Sequence, residues 1–165
     1  RMLRRVTRSV SWRDSMNREL RDWRENGEST AGPNNLKRGA GGLVDIELIA
    51  AVGVLRTANN EDFPLHANTV QCLEELARAQ CYSPEDVQVL ARNYRYLRSI
   101  EGKLRLLNTV ARHELPLGFD DEEAPLELKQ LVSLTSAGSP HALLRECATI
   151  REENRELLNR LVPKS

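Results

Sequence analysis

The 165-residue chain balances 24 Lys and Arg against 24 Asp and Glu, so no overall charge draws it to nucleic acid or to an anionic membrane, and any anion site must be local. Hydrophobic residues make up 40 % and aromatics 4 %, the balance of a helical protein with a real core rather than a disordered one. No apolar run approaches the ~20 residues that span a bilayer, and residues 1–9 lack the apolar centre of a signal peptide, which predicts a cytoplasmic protein.

From Arg1 to about Arg24 the sequence is rich in Arg and Glu, with apolar residues at Leu3, Val6, Val10, Leu20 and Trp23, a mostly polar helical pattern that needs a partner to stay in place. "NGESTAGPNN", Asn26 to Asn35, is dense in Gly, Pro, Asn and Ser and reads as a mobile loop. The expected division is an N-terminal helix over 1–26 that continues from an absent upstream domain, a mobile loop over 27–34, and a helical bundle domain over 35–165. The opening without Met, in mid-pattern, reads as a piece of something longer.

"LVDIELIAAVGVLRTA" is too long and continuous for a strand in so helical a chain and predicts a buried helix, with Gly53 marking close helix packing. "HANTVQCLEELARAQ" places Val70, Leu73, Leu76 and Ala77 on one face of another. In "SPEDVQVL", Ser83 is a cap, Pro84 the first helical residue, and Glu85 and Asp86 acids in the first turn where the macrodipole favours them. That helix should run to about Arg112, and "HELPLGFDDEEAP" should break it. "LELKQLVSLT" makes a short helix, and Ser139 with Pro140 opens a long one to the end. No segment alternates with period two, so the fold expected is an all-α antiparallel bundle of about five to six helices.

Cys72, Cys81 and Cys147 form no CxxC pair and are odd in number, the pattern of buried or half-buried thiols rather than of zinc or a disulfide framework. His66, His113 and His141 lie in separate segments without ligand partners at metal spacing, and no role is assigned to them.

"LKRGAGGLVDIEL", Leu36 to Leu48, carries the chemistry. Gly39, Gly41 and Gly42 permit positive φ, and a loop of inward amides at a helix start with Lys37 and Arg38 beside it suits a phosphate. The stretch nevertheless fits neither the P-loop nor the dinucleotide fingerprint. The competing reading is a tight helix entry: with Gly42 as cap, the Asp45 carboxylate reaches back to the cap amide, and Glu47 sits in a first turn that favours acids. Asp45 and Glu47 point ~200° apart on a helix and cannot share a metal, so no catalytic residue and no metal ligand is expected in this chain.

Along the long central helix, Leu97, Ile100, Leu104 and Leu107 share a face, and Arg98, Arg105 and Arg112 recur at heptad spacing along its edge. These arginines read either as a basic strip aimed at a partner or nucleotide, or as ion-paired flanks of the core. Glu101 lies between strip and core, with Arg98 or Arg105 as its expected partner and an architectural role.

The order "NLKRGAGGLVDIELI", "NTVQCLEELARA", "SPEDVQVLARNYRYLRSIEGKLRLL", "HELP" resembles the helical domain that follows the nucleotidyltransferase domain in glutamine synthetase adenylyltransferases. By that resemblance Lys37, Gly39, Gly41, Gly42, Asp45, Ile46 and Glu47 fall on the family's glycine segment, and Tyr94, Leu97, Arg98 and Glu101 on its second motif. The family's leading Asp is Asn34 or Asn35 here, and the Phe after D-I-E is Leu48. The resemblance implies a parent enzyme that transfers AMP from ATP, with Mg, to a tyrosine of glutamine synthetase and removes it, under control of a PII signalling protein. Its catalytic acids lie in an upstream domain, whereas this chain would pack on that domain and present Lys37, Arg38, the glycines, Asp45 and Glu47 to the nucleotide cleft; the isolated chain would need no cofactor. Two alternatives stay open: a protein-interaction module docking PII or glutamine synthetase, and the similar helical domain of a PII uridylyltransferase.

Overall fold

The start signals read from the sequence become helices. Ser83 Oγ accepts the amide of Asp86 at 3.1 Å, Ser139 Oγ that of Ala142 at 3.2 Å, and Asn68 Oδ1 those of Val70 and Gln71 at 2.9 and 3.1 Å, each satisfying donors that a helix start leaves orphaned. The computed structural model describes residues 10–58, 60, 62–107, 113–115 and 123–163. These form α1 (Val10–Ser29), α2 (Leu43–Arg56), α3 (Thr69–Arg78), α4 (Pro84–Leu107), α5 (Leu126–Ser133) and α6 (Pro140–Leu161). Among the described residues the extended backbone is a single antiparallel bridge, Asn35 with Glu114. The fold is an all-α helical bundle.

Buried on nearly every side, α2 packs against α1, α3, α4 and α6. Its Gly53 allows this: a Cβ there would meet Leu76 Cδ1 at 2.6 Å and the Tyr82 ring at 2.8 Å. The apolar interior divides in two. One cluster joins Ile46, Ile49 and Val52 of α2 to Leu73 and Leu76 of α3 and to Leu157 and Leu158 of α6. The other joins Leu36 and Leu43 to Leu97, Ile100 and Leu104 of α4, Leu128 and Leu131 of α5, and Leu143 and Cys147 of α6. The buried polar residues among those described are Arg24, Asp45, Asn93, Glu101 and Asn154. Cys72 and Cys147 are buried and Cys81 half-buried, as their spacing implied.

Two expectations need correction. First, α1 does not stop near Arg24 or residue 26 but runs through Gly27 to Ser29. The Ser29 and Thr30 hydroxyls donate to the Asn26 carbonyl at 2.9 and 3.2 Å, while Glu28 pairs with both Arg24 and Arg155, so the last turn is tied down despite its composition. Second, Trp23 is not on the inward face: it is 58 % exposed, and the neighbouring Arg24 is buried at 5 %, because the inward position faces a carboxylate rather than an apolar side chain. Leu3, Val6 and Arg112 lie outside the described residues, and α4 is described to Leu107.

Candidate functional site

The glycine segment is a locked helix entry. Gly42 is the N-cap of α2 in extended conformation. The amides of Lys37 and Arg38 donate to Asn35 Oδ1 at 3.0 and 2.8 Å, that of Gly39 to the Asn35 carbonyl at 3.0 Å, and that of Gly42 to the Gly39 carbonyl at 2.9 Å. Asp45 does reach back, but to the amide of Gly41 (2.8 Å) rather than to that of the cap residue. These donors are therefore spent inside the protein, which removes the backbone cradle from the phosphate reading.

From the other side α6 clamps the loop. Arg151 donates to the carbonyls of Ala40 (3.0 Å) and Pro33 (2.7 Å), and Asn154 Nδ2 to that of Gly41 (2.9 Å). Gly41 has φ +72°, and a Cβ on it would overlap the Arg151 backbone carbonyl, so this position requires glycine on both conformational and steric grounds.

Asp45, 1 % exposed, does not face a cleft. Arg24 holds it in a bidentate pair, Nε to Oδ1 at 2.6 Å and Nη2 to Oδ2 at 3.0 Å, with Arg155 Nη1 at 3.3 Å. Burial pushes the Asp45 carboxyl above the ordinary carboxylate range, against the opposing pull of Arg24 and the Gly41 amide. Asn154 accepts from Asn93 Nδ2 at 2.9 Å, and Asn93 Nδ2 also reaches Glu153 at 3.0 Å, which continues the polar layer across to α4.

The central arginines are ion-paired. Arg98 donates to Glu101 at 2.8 Å, to Glu47 at 3.1 Å and to the Tyr94 hydroxyl at 3.2 and 3.0 Å. Tyr94 in turn donates to Glu47 at 3.1 Å and accepts from Thr69 at 3.2 Å. Glu47 and Asp45 thus serve different clusters, as their helical spacing requires. Arg105 stands 3.8 Å from Glu101. The carboxylate of Glu101 is 3 % exposed, and His113 Nδ1 lies 2.9 Å from it. Burial works to raise its pKa, but Arg98, His113 and Arg105 together hold it below the usual glutamate range.

His113, assigned no role from sequence, is thus a structural residue. Its carbonyl accepts the Leu36 amide at 2.6 Å, and the adjacent Glu114 side chain accepts the Gly32 amide at 3.0 Å, so the segment after α4 fixes the approach to the glycine loop. Arg24, Asn93 and Asn154 were also missed, although each interrupts an apolar stripe and so signals a buried polar partner.

Of the predicted site residues, Gly39, Gly41, Gly42 and Asp45 are brought together as buried framework, and Glu47 joins Arg98 and Arg105 in a second, half-exposed cluster. Lys37 and Arg38 differ from both groups. Arg38 is exposed and Lys37 half-buried, and among the described residues neither side chain makes an ion pair or hydrogen bond. No group of three His, Cys, Asp or Glu among the described residues is placed to hold a metal ion, and no helix there is long and apolar enough to cross a membrane.

Comparison with known proteins gives this arrangement a family. The family model described as GlnD PII-uridylyltransferase matches residues 13–162. A bifunctional glutamine synthetase adenylyltransferase/adenylyl-removing enzyme of Mycobacterium marinum is 34 % identical over 67 % of this chain and 11 % of its own length. Enzymes of the same name from Caulobacter vibrioides and Aromatoleum aromaticum are 26 % and 33 % identical over 76 % and 54 % of this chain, and over 12 % and 10 % of their own lengths. The chain therefore spans about a tenth of the length of these relatives. Matched along nearly all of its length, it belongs to the GlnD PII-uridylyltransferase family and is similar to the helical region of glutamine synthetase adenylyltransferases.

Proposed function

We propose that this chain is the helical domain of a glutamine synthetase adenylyltransferase, that it packs on the nucleotidyltransferase domain of the parent enzyme, and that it forms one edge of the nucleotide cleft. In that enzyme AMP passes from ATP to a tyrosine of glutamine synthetase and is later removed, and a PII protein governs the balance. The catalytic acids and the Mg they hold belong to the other domain. This chain contributes positive charge beside the triphosphate, from Lys37 and Arg38.

The observation that carries the reading is the contrast within one loop. Its backbone is pinned by Arg151, Asn154, Asn35 and Asp45, while its two cations have no ion-pair or hydrogen-bond partner for their side chains among the described residues. A fixed loop presenting uncompensated charge is arranged to meet an anion at low ordering cost. In the parent enzyme Lys37→Ala or Arg38→Ala should raise the KM for ATP or lower kcat by about tenfold, the scale of one charge-assisted contact. Unchanged kinetics in a folded variant would remove the proposal.

A second reading, the helical domain of a PII uridylyltransferase, is favoured by the description of the matching family model. It predicts UTP rather than ATP as the donor that responds to Lys37→Ala. A docking module for PII or glutamine synthetase predicts that either protein binds the chain while Lys37→Ala leaves catalysis unaltered.

A further inference from the structure

A pocket of about 240 Å³ lies between α1 and the glycine segment, lined by Trp23, Arg24, Asn26, Gly27 and Thr30 of α1 and its end and by Arg38 and Val44 across from them, with the Arg24 charge already taken up by Asp45 and Glu28. Three of its features are unexplained by folding. The first is Trp23, 58 % exposed, a large flat ring kept in water where burial would stabilise the fold. The second is Asn26, one turn further along the helix, whose exposed carboxamide has no partner among the described residues.

The third is Gly27. Glycine inside a helix is less favourable than alanine, and crowding does not require it here. The nearest atom to a Cβ at this position would be Arg38 Cδ, at an ordinary 3.8 Å. A side chain at residue 27 would fit the fold and fill the pocket.

We infer that this pocket takes the adenine ring of a nucleotide whose phosphates lie outside it, over Arg38 and Lys37. The volume is below the ~300–1,000 Å³ of sites that enclose whole drug-sized ligands, which suits a single ring with the remainder in solvent. Trp23 supplies a stacking surface, and Val44, 5 % exposed, an apolar wall. Asn26 supplies a donor and an acceptor on one planar group, which matches the N6 and N7 edge of adenine, and the preference over a pyrimidine comes from the larger purine face that Trp23 can cover. The charge on Arg38 is unspent and falls at the rim, where a phosphate would emerge. The inference rests on the proposed nucleotide-cleft role and names the part of the nucleotide that this chain reads.

The test is a fluorescence titration of the chain with adenosine, ATP, UTP and inorganic tripolyphosphate, without divalent metal, in the wild type and in Trp23→Phe to subtract the Trp12 signal. Adenosine and ATP should both quench Trp23 saturably, ATP about tenfold more tightly, and UTP should bind more weakly than ATP because a single-ring base covers less of the Trp23 face. Arg38→Ala should weaken ATP without weakening adenosine, and Arg38→Ala with Lys37→Ala should bring ATP down to the level of adenosine. Gly27→Leu, which improves helix propensity and so should fold, should abolish the response to adenosine and bring ATP and UTP down to the level of tripolyphosphate.

If tripolyphosphate competes as well as ATP while adenosine is silent, the base pocket is refuted but the phosphate role of Lys37 and Arg38 stands. Equal binding of ATP and UTP overturns the assignment of the pocket to adenine. A response to an acidic peptide such as polyglutamate, with none to adenosine, would make the patch a protein interface and overturn the inference. The same holds if no probe gives a response.

Discussion

Removing the Asp45 carboxylate tests whether the glycine segment is architecture. Arg24 and Asp45 are 5 % and 1 % exposed and joined by hydrogen bonds of 2.6 and 3.0 Å, so Asp45→Asn leaves a guanidinium in a nearly dry site. Breaking one side of such a pair costs ~3–5 kcal/mol. Glu28 still contacts Arg24, which places the expected loss at the lower end, ~3 kcal/mol. Asp45→Ala should cost ~1 kcal/mol more, because the Gly41 amide also loses its acceptor, whereas asparagine keeps one. Urea denaturation followed by helical circular dichroism measures both, with an unchanged m-value as the sign that the native state is otherwise intact. Against a stability of ~5–15 kcal/mol for a domain of this kind, the shift is large. Arg24→Met alone should also destabilise, but Arg24→Met with Asp45→Leu should recover ~2 kcal/mol of the summed single losses, since apolar pairs replace buried ion pairs at little cost. Strict additivity, or single variants within ~0.5 kcal/mol of wild type, would refute the view that this pair holds α1 to the loop.

Two further outcomes follow from the same geometry. Gly41→Ala meets a positive φ and the Arg151 carbonyl and should cost ~3 kcal/mol or more, read in the same urea assay, whereas Gly102→Ala, with nothing within 4 Å, should stabilise α4 by up to ~1 kcal/mol. Glu101 has its folded pKa held below the ordinary value of 4.5, so its charge stabilises the fold fully above about that pH and the contribution is lost as pH falls through the folded value. Glu101→Gln should therefore lower the urea midpoint clearly at neutral pH, and the gap from wild type should narrow as pH falls below 4.5 and close once pH is below the lowered folded value; a gap that persists unchanged in acid would assign the loss to packing instead.

What the sequence revealed and what it hid divide along the range of the interactions. Helix starts are written locally: Ser83 with Pro84 and Ser139 with Pro140 each place their signal within a few residues of the donors they satisfy. Gly53 was legible for a similar reason, since an interior glycine on an apolar helix has few purposes besides close approach. The end of α1 was only partly so, because the local ties from Ser29, Thr30 and Arg24 are joined by Arg155, 127 residues from Glu28. The same limit applies to the pair of Asn93 and Asn154, 61 residues apart. Each sits where a stripe of leucines would place another leucine, and a polar residue there announces a buried partner without saying which. The inversion of Trp23 and Arg24 is the sharpest case: hydrophobic periodicity assumes that the inward side chain is the apolar one, and here the inward target is Asp45.

The polar layer also explains how a loop rich in glycine becomes a platform. Asn154 links the Gly41 carbonyl to Asn93 on α4, Asp45 links the Gly41 amide to Arg24 on α1, and Arg151 holds two further carbonyls from α6. Three helices thus converge on about ten residues of backbone, each through a directional group that tolerates little displacement. An apolar contact surface would have allowed the loop to slide; hydrogen-bonded carbonyls and amides fix its register. Lys37 and Arg38 leave this framework with only their own side-chain freedom to lose, so an anion that meets them is charged for two side chains and not for a loop. The buried half of the motif is in this way a condition for the exposed half: substitutions at Asp45 or Asn154, which touch no ligand, act on the position from which the two cations reach out.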